Sequence, residues 1–303
     1  MKIALVTELP REGFRRLASH TLYAPLDEAE VLVSTFDKKV SREMIASMPH
    51  LRLITNFGAG YNNIDLEACR ERGIRVTNTP QPVIEPTAEL AFALMINVAR
   101  RVSEFDRAIR QGTCQPMAVM NNLSHSLYGK TLGILGMGRI GQALARRAKA
   151  SGMKIIYYNR HQLSADIEAL YDAQYVDFQT LLQDSDFLSL NLPYTPRVYH
   201  IIGKPELGMM KRSAYLINTA RGAHVDEAAL AEALKSGIIA GAALDVYEFE
   251  PQISEALLTL PNVVLSPHTG TGTLEGRIAM CENVSDNILA FLDNRPEDMN
   301  IVV

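Results

Sequence analysis

An arginine, a glutamate and a histidine stand in this sequence at places where folding alone has no use for them. Arg221 lies in Ile217-Asn218-Thr219-Ala220-Arg221-Gly222, Glu250 in Ala243-Leu244-Asp245-Val246-Tyr247-Glu248-Phe249-Glu250-Pro251, and His268 in Leu265-Ser266-Pro267-His268-Thr269-Gly270. Each follows a short apolar run that reads as a strand, so each falls at the carboxyl edge where open α/β sheets bind ligands. A guanidinium fork suits a planar anion. An imidazole exchanges a proton near neutral pH.

Upstream, Gly136-Met137-Gly138-Arg139-Ile140-Gly141 is a GxGxxG placed after the apolar run Thr131-Leu132-Gly133-Ile134-Leu135 and before a helical pattern. That context gives the motif its meaning. Gly136 permits a tight turn, Gly138 lets backbone approach a pyrophosphate, and Gly141 allows close helix–strand packing. The helix start offers unpaired N–H groups and the positive end of its dipole, so residues from Gly136 through Arg139 and Ile140 to Gly141 are candidate dinucleotide contacts. After the next strand, Lys154-Ile155-Ile156-Tyr157-Tyr158, the position that usually carries an acidic ribose ligand is Asn159, followed by Arg160. A carboxylate there would repel a 2′-phosphate, whereas Asn159 tolerates it and Arg160 can pair with it. The loop therefore points to NADP, with NAD possible.

These groups need a scaffold that presents strand ends side by side. Candidate strands at residues 3–7, 31–34, 53–56 and 75–78 form one series. A second series runs over 131–136, 154–158, 187–191, 215–218, 240–245 and 263–266. Most are continuous apolar runs, as in parallel strands covered on both faces. Helical patterns lie between them, one capped by Asp226 and stopped by Gly237. The fold class is α/β: two doubly wound parallel-sheet domains, with a Rossmann cofactor domain inserted in a flavodoxin-like substrate domain. The longest helical patterns, 87–111 and 273–293, mark the crossings. The expected division is 1–95 with 275–303 for the substrate domain and 96–274 for the cofactor domain.

Four motifs in order, the loop 136–141, Asn218-Thr219-Ala220-Arg221-Gly222, the run 243–251 and Ser266-Pro267-His268, resemble those of the D-isomer-specific 2-hydroxyacid dehydrogenases. Asn56-Phe57-Gly58-Ala59-Gly60-Tyr61-Asn62-Asn63-Ile64-Asp65 is similar to that family's substrate-carboxylate loop. The resemblance covers nearly the whole chain and is nearest the glyoxylate/hydroxypyruvate reductase branch. It implies that Arg221 holds the carboxylate and carbonyl oxygen of a small 2-oxo or 2-hydroxy acid, and that the N–H groups of Ala59 and Gly60 take the other carboxylate oxygen. It makes His268 the acid–base group, held by Glu250 in a way that favours the charged imidazole. Asp245 becomes an acceptor for the nicotinamide carboxamide, with Thr87, Pro193 and Ala220 bordering the cofactor. The resemblance also implies a homodimer formed mainly through the cofactor domain. The chain departs from the family in having no tryptophan, and the stretch 117–126 is unusual.

Composition narrows the partners. With 303 residues, 47% hydrophobic and 21% charged, the chain is long enough for two ordinary domains. A net charge of −4 argues against nucleic acid or an anionic membrane. The short apolar start, stopped by Glu8 and Pro10, reads as a strand and not as a leader or a span. Cys69, Cys114 and Cys281 are scattered, without metal-ligand spacing, which fits a cytoplasmic setting and packing roles. The six other histidines (His20, His50, His125, His161, His200, His224) read as surface or satisfied residues, and Glu248 as solvated. A phosphoglycerate-type dehydrogenase and a non-enzymatic, cofactor-sensing corepressor-like scaffold share this fold; Arg221, Glu250 and His268 together favour an enzyme.

Overall fold

A computed structural model describes residues 1–303, and it divides into two compact units. Unit 1 comprises Met1–Pro86 with Thr271–Val303, and unit 2 comprises Thr87–Gly270. The first division falls in the opening turn of the helix Ile84–Arg100, because no loop separates the two segments there.

In unit 1, β1 (Lys2–Leu5), β2 (Thr21–Leu22), β3 (Val31–Thr35), β4 (Leu53–Phe57) and β5 (Arg75–Thr77) form one parallel sheet in the order β2-β1-β3-β4-β5. That is the flavodoxin-like order. Every residue of β3 and β4 is buried, the polar Ser34, Thr35, Thr55 and Asn56 included, as in strands covered on both faces. The closing helix Leu274–Leu292 packs on the 3₁₀ turn Arg11–Leu17 so tightly that a Cβ on Gly13 would lie 2.3 Å from the Cys281 Cβ. The tail then returns to the sheet, where Val302 N–H donates to the Val76 carbonyl at 2.8 Å.

In unit 2, β6 (Thr131–Leu135), β7 (Lys154–Tyr158), β8 (Ala173–Tyr175), β9 (Phe187–Leu190), β10 (Tyr215–Asn218), β11 (Gly241–Leu244) and β12 (Val263–Leu265) form a parallel sheet in the order β12-β11-β10-β9-β6-β7-β8. The chain winds outward from β6 in one direction through β7 and β8, and in the other through β9 to β12. The switch point between β6 and β9 is where such sheets leave a crevice for ligand. The core behind it is built from Leu188, Leu190, Leu216, Leu230 and Ala242, all fully buried.

Two details depart from the sequence reading. The pattern 87–111 is two helices, Ile84–Arg100 and Val102–Arg110, broken at Arg101 with φ 57°. Side chains fix the break: Arg101 Nε donates to Glu104 at 2.8 Å and Asn97 accepts from the Ser103 N–H at 2.9 Å, while the apolar periodicity runs on unbroken. Strands β2 and β8, two and three residues long, are too short to show a pattern. Burial raises the thiols of Cys69 to about 11 and of Cys281 to about 12, so neither is a ready thiolate. No helix is long and apolar enough to cross a membrane.

Candidate active site

The dinucleotide loop has the geometry its glycines anticipate. Gly136 has φ 96°, and a Cβ there would come within 2.9 Å of the Asn191–Leu192 backbone, just before Pro193. Gly138 faces open space, and a Cβ on Gly141 would lie 2.6 Å from the Gly136 carbonyl oxygen. The helix Arg139–Ala150 starts at Gly138, and its first N–H groups have no acceptor in the protein. Turn, open approach and donor-rich helix start together fit a pyrophosphate. Asn159 ends the neighbouring strand, and its Oδ1 accepts the Met137 N–H at 2.7 Å. Its side chain thus braces the glycine loop, and Arg160 beside it is exposed.

Arg221, Glu250, His268 and Asp245 all follow the carboxyl ends of β10, β11 and β12, three adjacent strands, and the structure brings the first three into one cluster. His268 Nδ1 lies 2.8 Å from Glu250 Oε2. The other oxygen of Glu250 accepts the Tyr247 N–H at 2.9 Å, so the carboxylate cannot swing away without breaking a backbone bond. Burial pushes the Glu250 pKa up, but the hydrogen bond and charge of His268, the Tyr247 N–H and Arg221 outweigh it and leave the carboxyl below its usual range. With Glu250 ionised and able only to accept, His268 Nδ1 is the donor of that pair. Burial lowers the Arg221 pKa, with Glu250 opposing, and its Nη1 donates to the Ala220 carbonyl at 2.6 Å.

Asp245 is wholly buried and shapes the turn that carries the histidine. Its two oxygens accept the N–H groups of Thr269 and Gly270, each at 2.8 Å. Between these anchors and Ser266, His268 takes φ 54°, a left-handed conformation that a non-glycine residue keeps only when its surroundings impose it. Asp245 Oδ1 also accepts from the Thr269 hydroxyl at 3.4 Å, and Oδ2 retains a lone pair for a further donor. Thr87 lies alongside, its Oγ1 3.5 Å from where a Gly270 Cβ would be. Asn218, almost fully buried, fixes the arginine loop by accepting from the Ala220 N–H at 3.1 Å and donating to the Arg221 carbonyl at 2.8 Å.

Two readings of the surroundings need correction. His224 is neither at the surface nor satisfied. It is 0% exposed, neither ring nitrogen has a hydrogen-bond partner, and it stands near Arg221 and the Pro193 carbonyl. Burial, then the charge of Arg221, depress its pKa to about 4, so the ring is neutral beside the cation. Glu248 is not solvated: its side chain is 7% exposed and its Oε1 lies 2.7 Å from His200 Nε2. Only chain folding makes both visible, since an isolated His or Glu in a sequence carries no burial signal.

In unit 1, Ala59 and Gly60 lie just beyond β4 in a loop whose carbonyls are all tied inward. The Gly58 carbonyl accepts from Thr79 N at 3.1 Å, that of Ala59 from Asn78 Nδ2 at 2.8 Å, and that of Gly60 from Asn56 Nδ2 at 2.5 Å. The Ala59 and Gly60 N–H groups have no acceptor in the chain. Backbone with its acceptors used and its donors open has the make-up of an anion-binding nest. Asn56, Asn78 and Thr79 are its braces. The asparagine of Asn56-Phe57-Gly58 was visible in the sequence, but the crossing bonds from β5 were not.

Comparison with known proteins gives a consistent result. A family model described as "D-isomer specific 2-hydroxyacid dehydrogenase, NAD binding domain" matches residues 92–270. The glyoxylate reductase of Thermococcus litoralis is 51% identical over 268 residues, covering 87% of this chain and 81% of that one. The structure is similar to that of a glyoxylate reductase from Paecilomyes thermophila, with a TM-score of 0.88, 37% identity and coverage of 99% and 98% of the two chains. It is also similar to that of an NADPH-dependent glyoxylate/hydroxypyruvate reductase from Sinorhizobium meliloti in complex with NADP and malonate, with a TM-score of 0.84, 31% identity and coverage of 96% and 93%.

Proposed function

The chain belongs to the D-isomer-specific 2-hydroxyacid dehydrogenases, on their glyoxylate reductase branch, and from this we propose that it reduces a short 2-oxo acid such as glyoxylate or hydroxypyruvate to the D-2-hydroxy acid with NADPH as the preferred reductant. The observation that carries the reading is the His268–Glu250 pair, anchored through Tyr247 and close to Arg221. A nicotinamide cofactor supplies the hydride.

The residues of this chain supply the rest. Arg221 binds the substrate carboxylate and carbonyl oxygen through its fork. The Ala59 and Gly60 N–H groups bind a carboxylate oxygen. Asp245, Thr87, Pro193 and Ala220 border the nicotinamide end of the cofactor, and the loop 136–141 holds its pyrophosphate. His268, its Nδ1 donating to Glu250, gives a proton from Nε2 to the carbonyl oxygen as C2 is reduced, so the product leaves as the hydroxy acid and the ring regains a proton from solvent. In oxidation His268 is the base.

The choice of NADPH rests on Asn159 and Arg160, and the similar Sinorhizobium meliloti enzyme, named as NADPH-dependent, supports it. A hydrogen bond to a charged group is worth about 1.5–3 kcal/mol, so Arg160 should favour NADPH roughly 10- to 100-fold. In Asn159→Asp the new carboxylate keeps the acceptor that Met137 uses and adds repulsion toward a 2′-phosphate. The double variant Asn159→Asp, Arg160→Ile should therefore prefer NADH. The test is kcat/KM for both cofactors with glyoxylate and with hydroxypyruvate. A wild type that prefers NADH overturns the cofactor reading, and one that reduces no 2-oxo acid overturns the whole.

A second copy of the chain is the proposed partner. Val102, Ile109, Met117, Val119, Met120 and Leu123 of unit 2 stand exposed along one stretch of chain, apolar side chains that a partner surface would cover. Sedimentation at micromolar protein should give a dimer mass. A monomer mass would sink this.

A further inference from the structure

Arg277 lies in the first turn of the closing helix Leu274–Leu292 of unit 1, with its guanidinium carbon 5.5 Å from the centre of the Phe57 ring. Phe57 is the last residue of β4, 1% exposed, and the chain passes from it straight into Gly58, Ala59 and Gly60. Its register partner on β3 is Thr35, and the loop after Thr35 brings in Asp37. Asp37 attracts Arg277 but makes its ion pair elsewhere, with Lys38 at 3.6 Å.

Arg277 is half-buried, and no hydrogen bond or ion pair in the chain uses its five donors. Burial lowers its pKa, and the nearby Cys281 and Asp37 only partly offset this. A stacked guanidinium is held flat by the ring and gives up little freedom when an acceptor arrives. A half-buried cation without an acceptor is costly in itself, and a site that supplies one only when ligand is bound discriminates by that cost. The nest at Ala59 and Gly60 begins two residues beyond the ring on which Arg277 rests. One strand end of unit 1 therefore carries a seat for a carboxylate and, on the ring just before it, an unused planar fork.

We propose that Arg277 is a specificity-determining residue: it donates hydrogen bonds to an oxygen on C3 of a 2-oxo acid whose C1 carboxylate is held by the Ala59 and Gly60 N–H groups. The inference rests on the 2-oxo acid reading above and narrows its substrate class to acids with an acceptor oxygen at C3. A hydroxyl and a phosphate ester share that chemistry.

The experiment measures kcat and KM of wild type, Arg277→Met and Arg277→Lys with glyoxylate, pyruvate, 3-hydroxypyruvate and 3-phosphohydroxypyruvate. Wild type should prefer one of the two C3-oxygenated acids to pyruvate, and the one it prefers identifies the oxygen. In Arg277→Met the ratio of kcat/KM for that acid over pyruvate should fall about 10- to 100-fold, chiefly through KM. Arg277→Lys, which keeps the charge and loses the fork, should recover only part of it. A ratio that does not change, or a parallel loss on all four acids as expected of a mere brace for Phe57, overturns the proposal. If Arg277→Met does not fold, the same ratio in Arg277→Lys decides. Wild type inactive on every acid would instead defeat the reading on which this one rests.

Discussion

Unit 2 contains two imidazole–carboxylate pairs that draw their glutamates from one short loop, two residues apart. Glu250 meets His268 Nδ1 at 2.8 Å, and Glu248 meets His200 Nε2 at 2.7 Å. By distance and chemistry they are near equals. Their surroundings are not. The Tyr199 ring stacks on His200 with centroids 3.9 Å apart, and its hydroxyl donates to the same Glu248 oxygen at 3.0 Å. The Glu248 N–H is in turn held by Glu227 Oε1 at 2.6 Å. Ring, carboxylate and loop backbone are locked together, which is what a loop needs in order to stay in place. Glu250 instead divides its oxygens between the Tyr247 N–H and His268, near a guanidinium, on a histidine that Asp245 holds at the carboxyl edge of the sheet. A His–Glu pair is therefore not a site by itself. In the proposed reaction, position at the strand ends, with a guanidinium beside it, separates the pair assigned to proton transfer from the pair that holds a loop.

The loop also shows why the two pairs come together. A Cβ on Gly222 would lie 1.9 Å from the Tyr247 carbonyl carbon, so the chain between Asp245 and Glu250 rests directly on the backbone that follows Arg221. That contact brings Glu250 close to the arginine, while Glu248 meets His200 and Tyr199.

The comparison breaks most visibly at the imidazoles. His268→Ala should lower turnover of a 2-oxo acid by about 10²–10⁴-fold, the usual contribution of a positioned acid–base group, and leave cofactor affinity nearly unchanged. His200→Ala should lower thermal stability and leave the per-molecule turnover of folded protein within a few fold. Equal losses of turnover in the two variants would refute the division.

The carboxylates sharpen it on a smaller scale. Glu250→Gln keeps a hydrogen-bond acceptor but removes the negative charge 2.8 Å from His268 Nδ1, and a charge-assisted bond of about 1.5–3 kcal/mol translates into roughly a 10- to 100-fold fall in kcat. Glu248→Gln should act on unfolding temperature and not on kcat. The Glu250 pKa is lowered in the folded protein, so in the acid range the unfolded chain binds the proton first. Its contribution to stability is then complete above the ordinary carboxylate pKa and is lost as pH falls through the lowered folded value. The difference in unfolding temperature between wild type and Glu250→Gln should shrink over that window. A difference that grows toward acid pH would mean that the pair is not formed as described.

Much of this molecule was legible in its residues. Strands such as Lys154–Tyr158 and Tyr215–Asn218 were readable because a parallel strand covered on both faces must be apolar throughout. The GxGxxG declared its use because each glycine answers a local demand: a turn, an open approach, a close packing. Arg221, Glu250 and His268 were conspicuous as polar residues at strand ends. Each of these features has its cause within a few neighbouring residues. The tertiary structure alone decided which histidine is neutral beside Arg221, which glutamate locks a loop, and which arginine rests on Phe57 without an acceptor. His224 and Tyr194, His200 and Glu248, and Arg277 and Phe57 are separated by tens to hundreds of residues along the chain, yet their rings and charges lie within a few ångströms. Burial and pairing over such separations depend on where the sheet sets each strand end, and no local spacing encodes that.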